Sequence, residues 1–70
     1  MQEGDLVHIP QGVEMWHETE KGMKMLITHK PITGVFLCEE RHHNYRIYAD
    51  GNWSVQRKHV YPMENNSGTG

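Results

Sequence analysis

Apolar and polar residues alternate most regularly in residues 45–56, YRIYADGNWSVQ, and this pattern predicts a β-hairpin. The turn-forming sequence Ala49-Asp50-Gly51 interrupts the alternation. If these residues form a type I turn with Gly51 in the left-handed bulge position, Ile47 lies opposite Trp53. One face then carries Tyr45, Ile47, Trp53 and Val55, and the other carries Arg46, Tyr48, Asn52 and Ser54. A two-residue loop would mix apolar with polar side chains on each face, so the clean separation favours the three-residue loop.

Two other apolar segments predict strands. Residues 5–10, DLVHIP, alternate with Val7 and Ile9 on one face and end at a proline. Residues 32–40, ITGVFLCEE, contain four consecutive apolar residues, which favours a central strand that is covered on both faces. Within that run, Cys38 is expected to be a buried and unreactive thiol.

A long surface loop is predicted after the first strand. Residues 11–22 are polar, are bounded by glycine-bearing turns, and include the large aromatic residue Trp16. Residues 23–29, MKMLITH, are rich in β-favouring side chains and are interpreted as the returning arm of this loop. Two alternatives remain for Trp16, which either is exposed as a binding residue or folds down as a lid over a small core.

The last predicted elements follow the hairpin. Residues 57–59, RKH, are too polar for a buried strand and predict a one-turn 3-10 helix, and Pro62 in the strand after it lacks the N–H donor of a central strand. Five short strands in so short a chain favour an all-β fold, a small five-stranded barrel with a long first loop. The predicted organisation is a flexible leader at residues 1–3, the barrel at residues 4–63 and a disordered tail at residues 64–70.

Composition limits the function classes. The 70 residues are 36% hydrophobic and 23% charged, which suits one small soluble domain with a modest core. A single cysteine excludes an internal disulfide, and no apolar run approaches the roughly 20 residues that cross a bilayer. We therefore expect a cytoplasmic protein without a membrane partner.

Charge is distributed unevenly along the chain, although the formal net charge is only −2. Residues 1–20 contain five acidic residues and no Lys or Arg, whereas residues 41–60 contain four basic residues and one acidic residue, Asp50. The four basic residues are Arg41, Arg46, Arg57 and Lys58. The second region is interpreted either as a solvated face attracted to the first or as a basic patch for an anionic partner.

No metal, cofactor or catalytic site is expected. The six histidines are scattered at positions 8, 17, 29, 42, 43 and 59, and the adjacent His42 and His43 would point in opposite directions on an extended backbone. A barrel this small rarely encloses a cleft with several positioned groups, so we expect that the protein is not an enzyme.

Three segments carry a resemblance to a known family, namely GDLVHIP at residues 4–10, KPITGVFL at residues 30–37, and YRIYADG at residues 45–51 followed by VYP at residues 60–62. Together they resemble SH3-like small barrels, and among these the short, uncharacterised SH3-like proteins of tailed bacteriophages, cyanophages included. The outline is also similar to KOW and Tudor modules and to barrel subunits that dock onto photosynthetic complexes. The resemblance implies an SH3-like barrel, a phage-encoded protein in the host cytoplasm, and binding rather than catalysis.

These observations favour a small non-catalytic protein-interaction module, of docking or adaptor type, with an unidentified protein partner. Exposed aromatic and arginine side chains are enriched at binding hot spots. The candidate binding residues are Trp16, Arg46, Tyr48, Arg57, Lys58 and His59. The alternative is a KOW-like or Tudor-like module that binds single-stranded nucleic acid through basic and aromatic residues, although the net negative charge opposes contact with phosphates.

Overall fold

The computed structural model describes residues 1–63, which form seven β-strands and two 3-10 turns. The strands are β1 (Leu6–Ile9), β2 (Glu14–Thr19), β3 (Gly22–Ile27), β4 (Ile32–Glu39), β5 (Asn44–Tyr48), β6 (Asn52–Gln56) and β7 (Tyr61–Pro62). The 3-10 turns are Arg41–His43 and Arg57–His59. All neighbouring strands are antiparallel, and their order across the sheet is β3-β2-β6-β5-β4-β1-β7.

The all-β class is confirmed, but the five-stranded barrel is wrong, because the seven strands form one open sheet. The predicted long loop at residues 11–22 contains β2 and the start of β3, which form a hairpin with Thr19 opposite Gly22. The positive φ of Gly22, 120°, suits this tight connection. The extended character of residues 23–29 is confirmed, since β3 covers most of them.

The β5–β6 hairpin has the register that the sequence predicts. Ile47 lies opposite Trp53, and the three-residue loop follows the pair formed by Tyr48 and Asn52. The loop itself differs from a type I turn, because Asp50 as well as Gly51 has a positive φ, 56° and 127° respectively. Loop length and strand register were therefore predictable from side-chain pattern, whereas the turn conformation was not.

The core lies on one face of the curved sheet. Its buried residues are Val7, Ile9, Val13, Met15, Phe36, Ile47, Val55 and Val60, with Ile32, Tyr45 and Trp53 packed against them. The alternation predicted for β1 is confirmed, since Val7 and Ile9 are both fully buried. In the hairpin the predicted apolar face is also the face that joins the core.

One buried polar residue closes the side of the core beside β3. The hydroxyl of Thr28 donates to the carbonyl oxygen of Pro10 over 2.7 Å and accepts a hydrogen bond from the Val13 N–H over 3.0 Å. The Thr28 N–H also donates to the Val13 carbonyl oxygen. These bonds attach the segment before β2 to the end of β3, and they satisfy a side chain that burial would otherwise destabilise.

The central position of β4 is confirmed, because it pairs with both β1 and β5. Its predicted cover on both faces is wrong. Phe36 is buried, but Val35 and Leu37 are half-buried and Cys38 is exposed. The pairing register with β5 shifts between Phe36 and Cys38. Because of this irregularity, the thiol of Cys38 does not point into the core.

The remaining predictions for the chain ends have mixed outcomes. The 3-10 turn Arg57–His59 precedes the short strand β7, as predicted. The predicted tail at residues 64–70 lies outside the described residues, and the leader at residues 1–3 stays a prediction. Within residues 1–63, no helix has the length and apolar content that crossing a bilayer requires.

Candidate protein-interaction surface

We use the term outer face for the side of β2, β6 and β5 that points away from the core. Successive side chains of a strand point to opposite sides of the sheet. Met15 and Val55 are buried in the core, so the residues next to them in the sequence point to the outer face. Trp16 pairs with Ser54, and Ser54 pairs with Arg46, so these three residues form one row across the three strands. The sheet thus brings together two candidate residues that are thirty positions apart in the sequence.

Trp16 lies on the outer face and does not close the core. Its exposed fraction is 39%, whereas that of its neighbour Met15 is 2%. The indole lies between two shallow depressions, one that also contains Arg46 and Asn52 and one that also contains His59. Of the two alternatives for Trp16, the exposed position is therefore the one that the structure shows, and the lid over the core is not.

The guanidinium of Arg46 is held in place by Glu40. Its Nε donates to Glu40 Oε2 over 2.9 Å, and its Nη2 lies 2.6 Å from the same oxygen. The other carboxylate oxygen of Glu40 accepts a hydrogen bond from Ser54 Oγ over 2.6 Å. Glu40 therefore links a side chain of β5 to one of β6, and it orients Arg46 within the row that contains Trp16. This role of Glu40 was not predictable from the sequence, because Glu40 follows β4 and only the fold brings it into contact with Arg46.

Tyr48 extends the outer face towards the hairpin loop. It lies two residues from Arg46 on β5, which places both side chains on the same side of the strand. Its ring is half exposed, and its backbone pairs with Asn52 on one side and with Val35 on the other. Trp16, Arg46 and Tyr48 consequently share one surface.

The remaining candidate residues lie at the open end of the β5–β6 hairpin. Asn44 pairs with Gln56 there, so the turns Arg41–His43 and Arg57–His59, which adjoin these two residues, flank the same end. A shallow depression at this end is lined by His42, His43, Gln56, Arg57 and Lys58. Gln56 and His59 also line the second depression beside Trp16. His59 thus joins the outer face, whereas Arg57 and Lys58 form a separate basic area next to it.

The backbone conformation of the turn Arg41–His43 was not predicted from the sequence. Both His42 and His43 have φ values of 62°, in the left-handed region that non-glycine residues seldom adopt. The extended backbone that we expected at this pair is therefore wrong. Within residues 1–63, no group of three His, Cys, Asp or Glu side chains is close enough to hold a metal ion.

Acidic and basic side chains lie close together on and beside the outer face. Glu14 and Glu18 are exposed on either side of Trp16 along β2. Arg57 and Lys58 lie beyond Gln56, at the far end of β6. The acidic first region and the basic second region thus adjoin each other here, because Glu14 lines the same depression as Gln56 and His59.

Comparisons with protein-family models, with curated proteins and with solved structures give no match. The resemblance to SH3-like phage proteins therefore rests on the sequence segments alone.

Proposed function

We propose that this protein is a small non-catalytic interaction module, of docking or adaptor type, that binds a protein partner through its outer face. The observation that carries the proposal is the row formed by Trp16, Ser54 and Arg46, in which Glu40 holds the guanidinium in place. Tyr48 completes an exposed group of one tryptophan, one arginine and one tyrosine on the same side of the sheet.

The composition and rigidity of this group suit protein binding. Trp, Tyr and Arg are the residues that dominate hot spots in protein interfaces. All three lie on paired strands, and the ion pair with Glu40 restricts the arginine before any partner arrives. Restriction before binding lowers the entropy that association costs.

The size of the depressions beside Trp16 favours a macromolecular partner over a small substrate. The depressions beside Trp16 have volumes of about 230 Å³ and 200 Å³, whereas pockets for small ligands commonly have about 300–1,000 Å³. Shallow depressions of this kind accept single side chains of a partner. We therefore propose no catalytic activity.

The arrangement of charges indicates what the partner surface contains. Glu14 and Glu18 beside Trp16 favour basic side chains over β2. Arg57 and Lys58 favour acidic side chains of the partner next to the turn Arg57–His59. A partner that carries both kinds of charge in adjacent positions is therefore expected to bind in one orientation.

Binding of single-stranded nucleic acid is the alternative function. The observation that favours it is the meeting of the turns Arg41–His43 and Arg57–His59 at one end of the hairpin. Against it, Glu14 and Glu18 lie beside the aromatic ring of Trp16 on which a base would stack, and they repel phosphates.

An accessory or regulatory role for a bacteriophage, in the host cytoplasm, is the biological setting that the sequence resemblance adds to the main proposal.

Site-specific photo-crosslinking in a lysate of the source cells tests the proposal. A crosslinking residue at Tyr48 should capture a discrete protein, and the same residue at the exposed Lys30 should not. An excess of purified wild-type domain should suppress the crosslink, whereas a Trp16→Ala/Arg46→Ala domain should not. Equal suppression by both domains would show that the outer face is not the contact surface.

The alternative has its own measurement. Affinity for short single-stranded DNA should be followed as salt concentration rises, with Arg57→Ala/Lys58→Ala as the variant. A steep loss of affinity with salt in the wild type, together with a shallower slope in the variant, would favour nucleic acid over protein.

A further inference from the structure

Strand β3, Gly22–Ile27, is the terminal strand of the sheet and is exposed along its whole length. Residues 1–63 contain ten large apolar side chains that are exposed, and four of them lie on this one strand. They are Met23, Met25, Leu26 and Ile27, with exposed fractions between 40% and 56%. An apolar strand at an open edge is a template for a further strand.

The backbone of β3 presents a regular set of unpaired groups at this edge. The Thr28 N–H points towards β2, because it donates to the Val13 carbonyl oxygen. Hydrogen-bonding direction alternates along an antiparallel strand, so Leu26, Lys24 and Gly22 also direct their backbone groups to β2. Their neighbours in β3 direct the N–H and C=O groups outwards, and these neighbours are Met23, Met25 and Ile27.

The opposite edge of the sheet is less suited to pairing. Strand β7 has only two residues, and one of them is Pro62, which has no N–H to donate. Strand β3 has six residues and no proline. A partner strand with the same length and the same apolar pattern is present in every other copy of this chain.

We propose that β3 pairs antiparallel with β3 of a second copy, about a two-fold axis at Met25, so that the protein forms a homodimer with a continuous sheet. Met25 then lies opposite Met25 of the second copy, and Met23 lies opposite Ile27 of the second copy. This register pairs every outward N–H and C=O group of these three residues on both copies. The proposal is independent of the function assigned to the outer face.

Side-chain chemistry selects this register over its neighbour. A shift of the axis by one residue, to Lys24, would place two lysines directly opposite each other, which destabilises a sheet. With the axis at Met25, Lys24 instead lies opposite Leu26 of the second copy. The two-fold axis that relates the two copies is perpendicular to the sheet. The outer faces of both copies therefore lie on the same side of the continuous sheet.

The dimer would extend the outer-face row across the interface. Trp16 pairs with Met25 within each copy. The row therefore continues from Trp16 through the two Met25 side chains to Trp16 of the second copy. Contacts between thioether sulfur and aromatic rings stabilise such an arrangement.

Light scattering and sedimentation of the full chain test the inference, over concentrations from about 1 µM to about 1 mM. We expect the apparent mass to rise from one chain to two. Met25→Pro should weaken association by about tenfold or more, because the lost N–H points outwards and is not used within one copy. Leu6→Gln, which removes an equally exposed apolar side chain from β1, should leave association unchanged.

Amide hydrogen exchange gives a second test, whose main comparison uses the wild-type chain alone. Protection of the Met23, Met25 and Ile27 amides should increase with concentration, whereas Lys24 and Leu26 should be protected at every concentration. Met25→Lys should abolish the increase. A chain that stays monomeric, a dimer that is insensitive to both Met25 substitutions, or uniform exchange along β3 would each overturn the inference, and a monomer whose β3 amides are protected only by another protein would assign the edge to that protein.

Discussion

The indole N–H of Trp53 donates a hydrogen bond to the carbonyl oxygen of Ala49 over 3.0 Å. This bond closes the β5–β6 loop from the core side of the sheet. The other side of the Trp53 ring meets His17 edge-on, with ring centroids 4.5 Å apart. One half-buried tryptophan thus connects the hairpin loop to β2, and it keeps the two strands that carry Trp16 and Arg46 in a fixed relationship.

The loop depends on glycine at position 51. Gly51→Val should lower the free energy of unfolding by more than about 1 kcal/mol, because a β-branched residue is strained at a φ of 127°. Asp50→Gly is the matched control, and it should be neutral or stabilising, since Asp50 has a φ of 56°. Urea denaturation measures both changes. An unchanged midpoint for Gly51→Val would mean that the loop has another conformation in solution.

Adjacent residues on β2 should respond very differently to truncation. Met15→Ala should cost about 2–5 kcal/mol of folding free energy, because it leaves a cavity in the core. Trp16→Ala should cost clearly less, since solvent fills the space that the outward ring leaves, while it weakens the partner by about 2 kcal/mol. Denaturation and binding measurements on the two variants would contradict the outward orientation if Trp16→Ala destabilised the fold as much as Met15→Ala.

Thr28 offers a test of the buried hydrogen bonds. Thr28→Val keeps the volume but removes the hydroxyl, which leaves the Val13 N–H and the Pro10 carbonyl oxygen without this partner. We expect a loss of about 1–3 kcal/mol in thermal or chemical denaturation. Thr28→Ser retains the hydroxyl and should be the milder change. The reverse order would indicate that the methyl group, rather than the hydrogen bonds, is what stabilises this position.

Glu40 should affect binding more than folding. Glu40→Gln removes a partly exposed ion pair with Arg46, which is worth about 1 kcal/mol or less. Affinity for the partner should fall several-fold, because the guanidinium is no longer held in the row. Glu39→Gln removes a neighbouring exposed carboxylate and serves as the control. Equal effects of the two substitutions on affinity would show that overall charge, and not the position of Arg46, matters.

Folding should not require a metal ion. The described residues contain no group of three candidate ligands, so an excess of chelator should leave the melting temperature unchanged. A decrease of many degrees would require a site that involves the rest of the chain or a second copy. The same measurement with added zinc provides the control.

Local pattern was sufficient for some elements and insufficient for others. The β5–β6 register was predictable, because alternation and turn residues occur together within one short segment. Strand β2 was not, because its sequence EMWHET contains one fully buried residue and charges that also suit a loop. Its pairing with β6 joins positions about forty residues apart, and a single sequence carries little information on such contacts.

The outer face also combines features that local pattern predicts with features that it does not. Residue type alone made Trp16, Arg46 and Tyr48 candidates, and the register of the hairpin placed the last two on one face. The link from Glu40 to Arg46 and Ser54 depends on how β4 turns into β5, and the exposure of Cys38 depends on a register shift inside β4. Neither feature leaves a periodic signal in the sequence.

The direct succession of Met15 and Trp16 limits how the chain can change length during evolution. An insertion of one residue between Val13 and Met15 would turn β2 over, which would expose the thioether and bury the indole. The core and the outer face would be lost together. An insertion at the tip of the β2–β3 hairpin, at Glu20 or Lys21, leaves both pairings of Met15 intact. Homologous chains should therefore vary in length at that tip while the spacing from Pro10 to Trp16 stays constant.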